Sequence, residues 1–197
     1  MQAHSFPNQG WVESTVQPQY TDIIWREVRR LGTHSPTVDH GHVGTVTEEY
    51  RLVDPETRRA IQAVIGPLIE HYVDQHSFAL EDRALELGDT WCNLQHRGEY
   101  FIPHTHRGVF SFALWLQVPF TQAEEQAHRS KPGREVSGFS FHYTDSLGRI
   151  RPLVLPVDRS WENRIVVFPA EMTHSVSPFY STDQTRITVS GNVIYGQ

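Results

Sequence analysis

Lysine is nearly missing from this chain of 197 residues: Lys131 is the sole example. Schiff-base and pyridoxal-phosphate chemistry, which need a lysine amine at the reacting centre, are thereby disfavoured. Cysteine is as scarce. Cys92 stands alone, so no disulfide can form within the chain, and a reducing cytoplasm is the expected compartment. No run approaches the ~20 apolar residues of a membrane-spanning helix. The opening MQAHSFPNQGWVEST lacks the apolar segment of a secretory signal. Positive charge is short as well: 17 Lys and Arg face 23 Asp and Glu, for a formal net charge of −6. That balance argues against broad nucleic-acid binding, whose affinity rests on neutralising phosphates. The basic clusters at Arg26, Arg29 and Arg30 and at Arg129, Lys131 and Arg134 read as solvated faces.

The remaining composition, 38% hydrophobic and 20% charged, is that of a globular protein, and the length fits a single domain over 1–197. The stretch 1–84 reads as mainly helical. Tyr20, Ile23, Ile24, Val28 and Leu31 recur at helical spacing before Gly32, and Asp54-Pro55 forms a favoured helix start. Ile61, Val64, Ile65, Leu68, Tyr72 and Val73 continue that second helix, with a kink or break expected at Gly66-Pro67. From about Leu85 the period changes to two. LELGDTWCNLQ, GEYFIPHTH, VFSFALWLQVP, VSGFSFHY, RPLVLPV, NRIVVFP and TRITVSGNVIY are strand-like runs between turn residues. Helices followed by strands predict an α+β fold, with helices packed on one sheet of a β-sandwich or barrel over 85–197. The polar stretch from Thr121 to Val136 is expected to be a lid or a surface loop.

Histidine, by contrast, is plentiful, with 12 in the chain. His104 and His106 stand two apart in a strand-like run, a spacing that sends both side chains to one face. His174 follows the apolar run RIVVFP far along the chain, and Arg186 lies inside the last strand. The pattern H-x-H, then H, then R is more specific than either half. Tyr100, Ile102, His104 and His106 should share a face, as should Arg186, Thr188, Ser190 and Asn192, with Asn93 and Gln95 paired on the preceding strand. A buried Arg186 needs an anion or water beside it. Such a polar interior suits a cavity that binds a metal and a small carboxylate. A second histidine group, His34, His40 and His42, sits in loop-like sequence with no further ligand framed nearby.

From Trp91 to Asn192, through the proline-preceded HTH, SFALWL, VVFP, THSVSP and RITVSGN, the chain resembles the 2-oxoglutarate/Fe(II)-dependent oxygenases, and is similar to a short subgroup from bacteria and phages. The resemblance implies a double-stranded β-helix, Fe(II) as metal, and 2-oxoglutarate and O2 as cosubstrates. It implies His104 as the first ligand, His174 as the distal one, and Arg186 as anchor for the cosubstrate's C5 carboxylate, aided by Thr188 and Tyr100. Asn93 and Asn192 belong to the same motif and would give the cavity polarity. His106 departs from the family, which has Asp or Glu there. Either it completes a three-His centre, or it turns aside for water, an anion or a carboxylate such as Glu99. Three neutral imidazoles leave Fe(II) at +2, which dianionic 2-oxoglutarate would balance. The prime substrate is not implied, and a homodimer is left open. The alternatives are a three-His cupin-type dioxygenase that does not use 2-oxoglutarate, a zinc hydrolase, and a non-catalytic β-sandwich.

Overall fold

Two helices form where the apolar periodicity places them. In the computed structural model, which describes residues 9–31, 43–76, 80–129 and 136–196, the elements run β1 (Val12–Thr15), α1 (Pro18–Leu31), β2 (Glu48–Arg51), α2 (Pro55–His76), β3 (Leu85–Gln95), β4 (Phe101–His104), β5 (Phe110–Gln117), α3 (Gln122–Ala127), β6 (Phe139–Thr144), β7 (Ile150–Leu155), β8 (Arg164–Pro169), β9 (His174–Val176) and β10 (Arg186–Tyr195). Helix α2 starts at Pro55 and runs unbroken through Pro67, against the expected break. Ile61, Ile65, Ile69 and Tyr72 keep one face of it buried, while Ala63 and Pro67 face solvent. Water can therefore serve the Ala63 carbonyl that proline leaves without a donor, and packing overrides propensity. Beside it, a Cβ on Gly66 would meet nothing within 4 Å. Gly66→Ala is expected to stabilise the fold by roughly 0.5–1 kcal/mol, a rise in thermal midpoint of roughly 1–4 °C for a chain this long. A lowered midpoint would mean that the helix needs glycine to bend there.

The strands form two antiparallel sheets, one ordered β1-β8-β5-β10-β3-β2 and the other β4-β9-β6-β7. The larger sheet is buried on both faces. From β5, Phe110, Phe112, Leu114 and Leu116 pack with α1 and α2, alongside Ile24, Ile61, Ile65 and Tyr72. Ala113 and Trp115 point the other way, into a second core between the sheets with Phe139, Phe141, Phe168 and Phe179. This burial on both sides explains why β5 reads as a nearly continuous apolar run. At Gly191 the backbones close in, for a Cβ there would lie 2.8 Å from the Asp89 carbonyl and from the Phe112 ring. A register shift follows between Gly191 and Val193.

The sheets and helices make the α+β, double-stranded β-helix arrangement expected, with two differences in the first 84 residues. Strands β1 and β2 lie there, as edges paired to β8 and β3. They are four residues each and mostly polar, so they join the sheets through backbone bonds and carry little pattern. The polar stretch from Thr121 is likewise more than a loop. Thr121 and Glu124 form a capping box that starts α3. Glu125 on that helix is fully buried, and its carboxylate accepts from the Tyr180 and Ser181 N–H groups at 2.7–3.0 Å.

Candidate active site

A cavity of about 600 Å³ opens between the two sheets, lined by residues of every strand around its mouth. His104, His106 and His174 all line it, and their ligating nitrogens lie within 4.8 Å of one another. Strand register does part of this work: His104 on β4 stands directly opposite His174 on β9. His106 lies just past β4 and is held by its N–H on the Ala170 carbonyl at 2.9 Å. Ring centroids are 4.3 Å apart for His104 and His174, 5.0 Å for His104 and His106, and 5.1 Å for His106 and His174.

Hydrogen bonds orient two of these rings. His104 Nδ1 lies 2.7 Å from the Ile102 carbonyl and His174 Nδ1 lies 2.9 Å from that of Met172. A carbonyl can only accept, so each Nδ1 carries the proton and each Nε2 keeps a free lone pair. His106 instead packs against Trp91, with ring centroids 5.4 Å apart. Burial pulls down the pKa of all three: His174, enclosed by Phe139 and Phe168, falls to about 3 and His106 to about 4, each lowered further by the neighbouring imidazoles. The rings are therefore neutral near pH 7, the state that binds metal. Three neutral imidazoles suit Fe(II), and also Zn(II) and Ni(II). Among the described residues no carboxylate joins the group. Glu99 stands outside the group, accepting from the His96 N–H at 2.7 Å and from Thr47.

Around the histidines the expected residues divide. Asn93, Thr188 and Asn192 line the cavity, joined by Gln95, Ser111 and Ser190. With its amide turned to suit both neighbours, Asn93 donates to Glu49 Oε2 at 2.9 Å and accepts from the Trp91 indole at 3.2 Å; Asn192 accepts from the Ser111 hydroxyl at 2.8 Å. Tyr100 stands outside. It is 38% exposed, Ile102 is 48% exposed, and it is Phe101 that faces inward with His104. A register irregularity between Phe101 and His104, where Pro103 lacks an N–H, breaks the alternation that put Tyr100 on the histidine face. Tyr100 contributes backbone bonds to Thr45 instead. His34, His40 and His42 lie outside the described residues.

Arg186 is buried, 1% exposed, but the cavity wall beside it is Gln95. Its Nε donates to Gln95 Oε1 at 2.9 Å and Nη2 donates to the same oxygen; Nη1 donates to the Ser137 carbonyl at 2.8 Å and Nη2 also to that of Ser177 at 3.3 Å. The Phe120 and Phe179 rings flank the guanidinium. Burial lowers its pKa to about 9, a drop that the Glu125 charge opposes, so it stays cationic at neutral pH. Ser137 presents its carbonyl from a left-handed backbone conformation, φ 51°. Neither Glu125 nor Ser137 could be foreseen: one sits in a polar insertion, the other in a turn without periodicity.

Residues 89–192 match the family described as “Putative 2OG-Fe(II) oxygenase”. Comparison with curated protein sequences gives no match. Among solved structures, a Pseudomonas putida prolyl-4-hydroxylase is similar over 96% of this chain and 93% of its own, at 17% identity and a TM-score of 0.54. A Trichoplax adhaerens prolyl hydroxylase, solved with a hypoxia inducible factor peptide, is similar over 94% and 83%, at 12% identity and a TM-score of 0.58. SnoN, a non-haem α-ketoglutarate-dependent epimerase from nogalamycin biosynthesis, is similar over 96% and 78%, at 17% identity and a TM-score of 0.61. At these identities the solved structures speak for the double-stranded β-helix fold. The family match covers more than half of the sequence, and the chain belongs to the 2-oxoglutarate- and Fe(II)-dependent oxygenases, oxidoreductases that use ferrous iron and 2-oxoglutarate.

Proposed function

We propose that His104, His106 and His174 together hold the Fe(II) ion, and that Arg186, with the Thr188 hydroxyl in the adjoining wall, anchors the far carboxylate of 2-oxoglutarate. The observation that carries this reading is the convergence of three imidazole nitrogens on the cavity, two of them with Nδ1 tied to a carbonyl. A carboxylate facing a guanidinium makes charge-assisted bonds of about 1.5–3 kcal/mol each. The net reaction is the oxidation R–H + O2 + 2-oxoglutarate → R–OH + succinate + CO2. Iron supplies the activation of O2 when bound. The chain's own residues do the rest. Three histidines occupy one side of the ion and leave positions open for cosubstrate and O2. Phe139 and Phe168 keep water from His174, and Asn93, Ser111 and Asn192 give the opposite wall its polarity. The formal charge of −6 disfavours nucleic acid as the prime substrate. The reading extends to the cytoplasm as compartment, on the single buried thiol of Cys92.

Conversion of 2-oxoglutarate to succinate by Fe(II)-loaded protein, with no prime substrate added, is the direct assay. Turnover that needs both Fe(II) and O2 is the expected result. An Fe(II)-loaded protein that neither binds nor consumes 2-oxoglutarate would overturn the reading and favour the three-His dioxygenase alternative. His106 can be tested separately. With Asp in its place the centre gains the carboxylate usual for such triads, so His106→Asp is expected to hold Fe(II) at least as firmly in chelator competition. His106→Ala should bind it at least a hundredfold more weakly, a loss of roughly 3 kcal/mol or more. Equal affinity in His106→Ala would mean that the ring merely fills space beside Trp91.

A further inference from the structure

One side chain separates Arg186 from the cavity. Gln95 lines the cavity while the guanidinium behind it does not. The two residues are direct cross-strand partners, Gln95 at the end of β3 and Arg186 at the start of β10. Nε and Nη2 of Arg186 both donate to the single Oε1 of Gln95. That paired edge is the one a carboxylate takes when it meets arginine side-on. Of the five N–H donors, the remaining contacts go to backbone carbonyls of Ser137 and Ser177, which cannot move away without moving the chain. Glu125 cannot replace Gln95 either, because its oxygens are committed to the N–H groups of Tyr180 and Ser181. A carboxylate in the cavity therefore reaches the Nε–Nη2 edge only where Gln95 Oε1 now stands.

We propose that Gln95 is a displaceable placeholder: its amide oxygen satisfies Arg186 while the cavity holds no carboxylate, and swings aside when the distal carboxylate of 2-oxoglutarate arrives. The proposal rests on Arg186 as the cosubstrate anchor. The exchange is favourable in direction, since a buried guanidinium gains an ionised acceptor for a neutral one. It is also local. The other polar tie of Gln95 is from Nε2 to the Glu99 carbonyl. Glu99 keeps its place without that bond, because its carboxylate is held by the His96 N–H and by Thr47. The cavity, at about 600 Å³, has room for the displaced amide. A consequence is selectivity: a ligand with a neutral end offers Arg186 nothing better than the amide already there.

Calorimetric titration of 2-oxoglutarate into protein loaded with Ni(II), which imidazole accepts and which supports no turnover, tests this directly. Gln95→Ala removes the competitor and leaves two donors of Arg186 unmet until ligand binds. Its Kd for 2-oxoglutarate should fall at least threefold, its ligand-free thermal midpoint should drop, and the rise in midpoint on adding 2-oxoglutarate should exceed that of the wild type. Gln95→Glu installs a permanent carboxylate in the fork and should raise the Kd at least tenfold with Ni(II) content unchanged. Gln95→Asn, one methylene too short to reach Arg186, should follow Gln95→Ala and serves if the alanine variant does not fold. Weaker 2-oxoglutarate binding in folded Gln95→Ala or Gln95→Asn would overturn the proposal and make Gln95 a fixed support of the anchor. Wild-type binding in Arg186→Met would instead remove the anchor itself, so the two failures are distinguishable.

Discussion

His174→Ala is expected to abolish metal binding, and with it all conversion of 2-oxoglutarate. Of the three histidines this one has the most enclosed ring, 4% exposed, packed between Phe139 and Phe168 and fixed by the Met172 carbonyl. Removing even the outer partner of a ligating histidine typically costs about 10–100-fold in affinity. Removing the ligand from a centre that has no carboxylate should cost more. The truncation also leaves a void among aromatic rings, so His174→Leu, which fills that space without a lone pair, is the companion variant. Elemental analysis should find neither variant loaded after incubation with Fe(II) or Zn(II), while circular dichroism shows His174→Leu folded. A stoichiometric ion in folded His174→Leu would place the metal elsewhere.

The sequence makes the histidine cluster legible for a physical reason, and hides its neighbours for another. His104 and His174 lie at the ends of strands, where an apolar run and then a histidine announce a side chain at a strand terminus. The long strands β3, β5 and β10 are bounded almost as their alternation predicts, because each has at least one face in a core. Alternation fails wherever the ladder is irregular. Tyr100 shares its parity with His104 on paper, yet the irregularity around Pro103 turns it to solvent. Strand β9, only three residues long, has too short a pattern to read. The surroundings of Arg186 are the extreme case. Its partners come from β3, from the turn at Ser137 and from the stretch after β9, with Glu125 opposite on α3, and no local periodicity links positions so far apart in the chain.

Those surroundings set the terms of the second large effect. Arg186→Met should retain the metal, since the three histidines do not depend on the guanidinium, but raise the apparent KM for 2-oxoglutarate at least tenfold. Loss of two charge-assisted bonds, at about 1.5–3 kcal/mol each, would carry the change beyond a hundredfold, since every ~1.4 kcal/mol is tenfold. The single substitution has a structural cost too. It strips Gln95 and the Ser137 and Ser177 carbonyls of their donor and removes the positive charge that acts on buried Glu125, so the thermal midpoint should fall. Arg186→Met combined with Glu125→Gln removes both charges and keeps an acceptor for the Tyr180 and Ser181 N–H groups, so it should fold better than the single variant while binding 2-oxoglutarate no more tightly. Arg186→Lys separates charge from shape. Lysine keeps the cation but cannot offer the Nε–Nη2 edge, and binding should fall between wild type and Arg186→Met. The measurements are metal content, thermal midpoint and 2-oxoglutarate affinity by calorimetry with Ni(II) bound. If the double variant folds, holds metal and binds 2-oxoglutarate like the wild type, Arg186 is a structural cation balanced by Glu125, and the cosubstrate's far carboxylate is held by another group in the cavity wall.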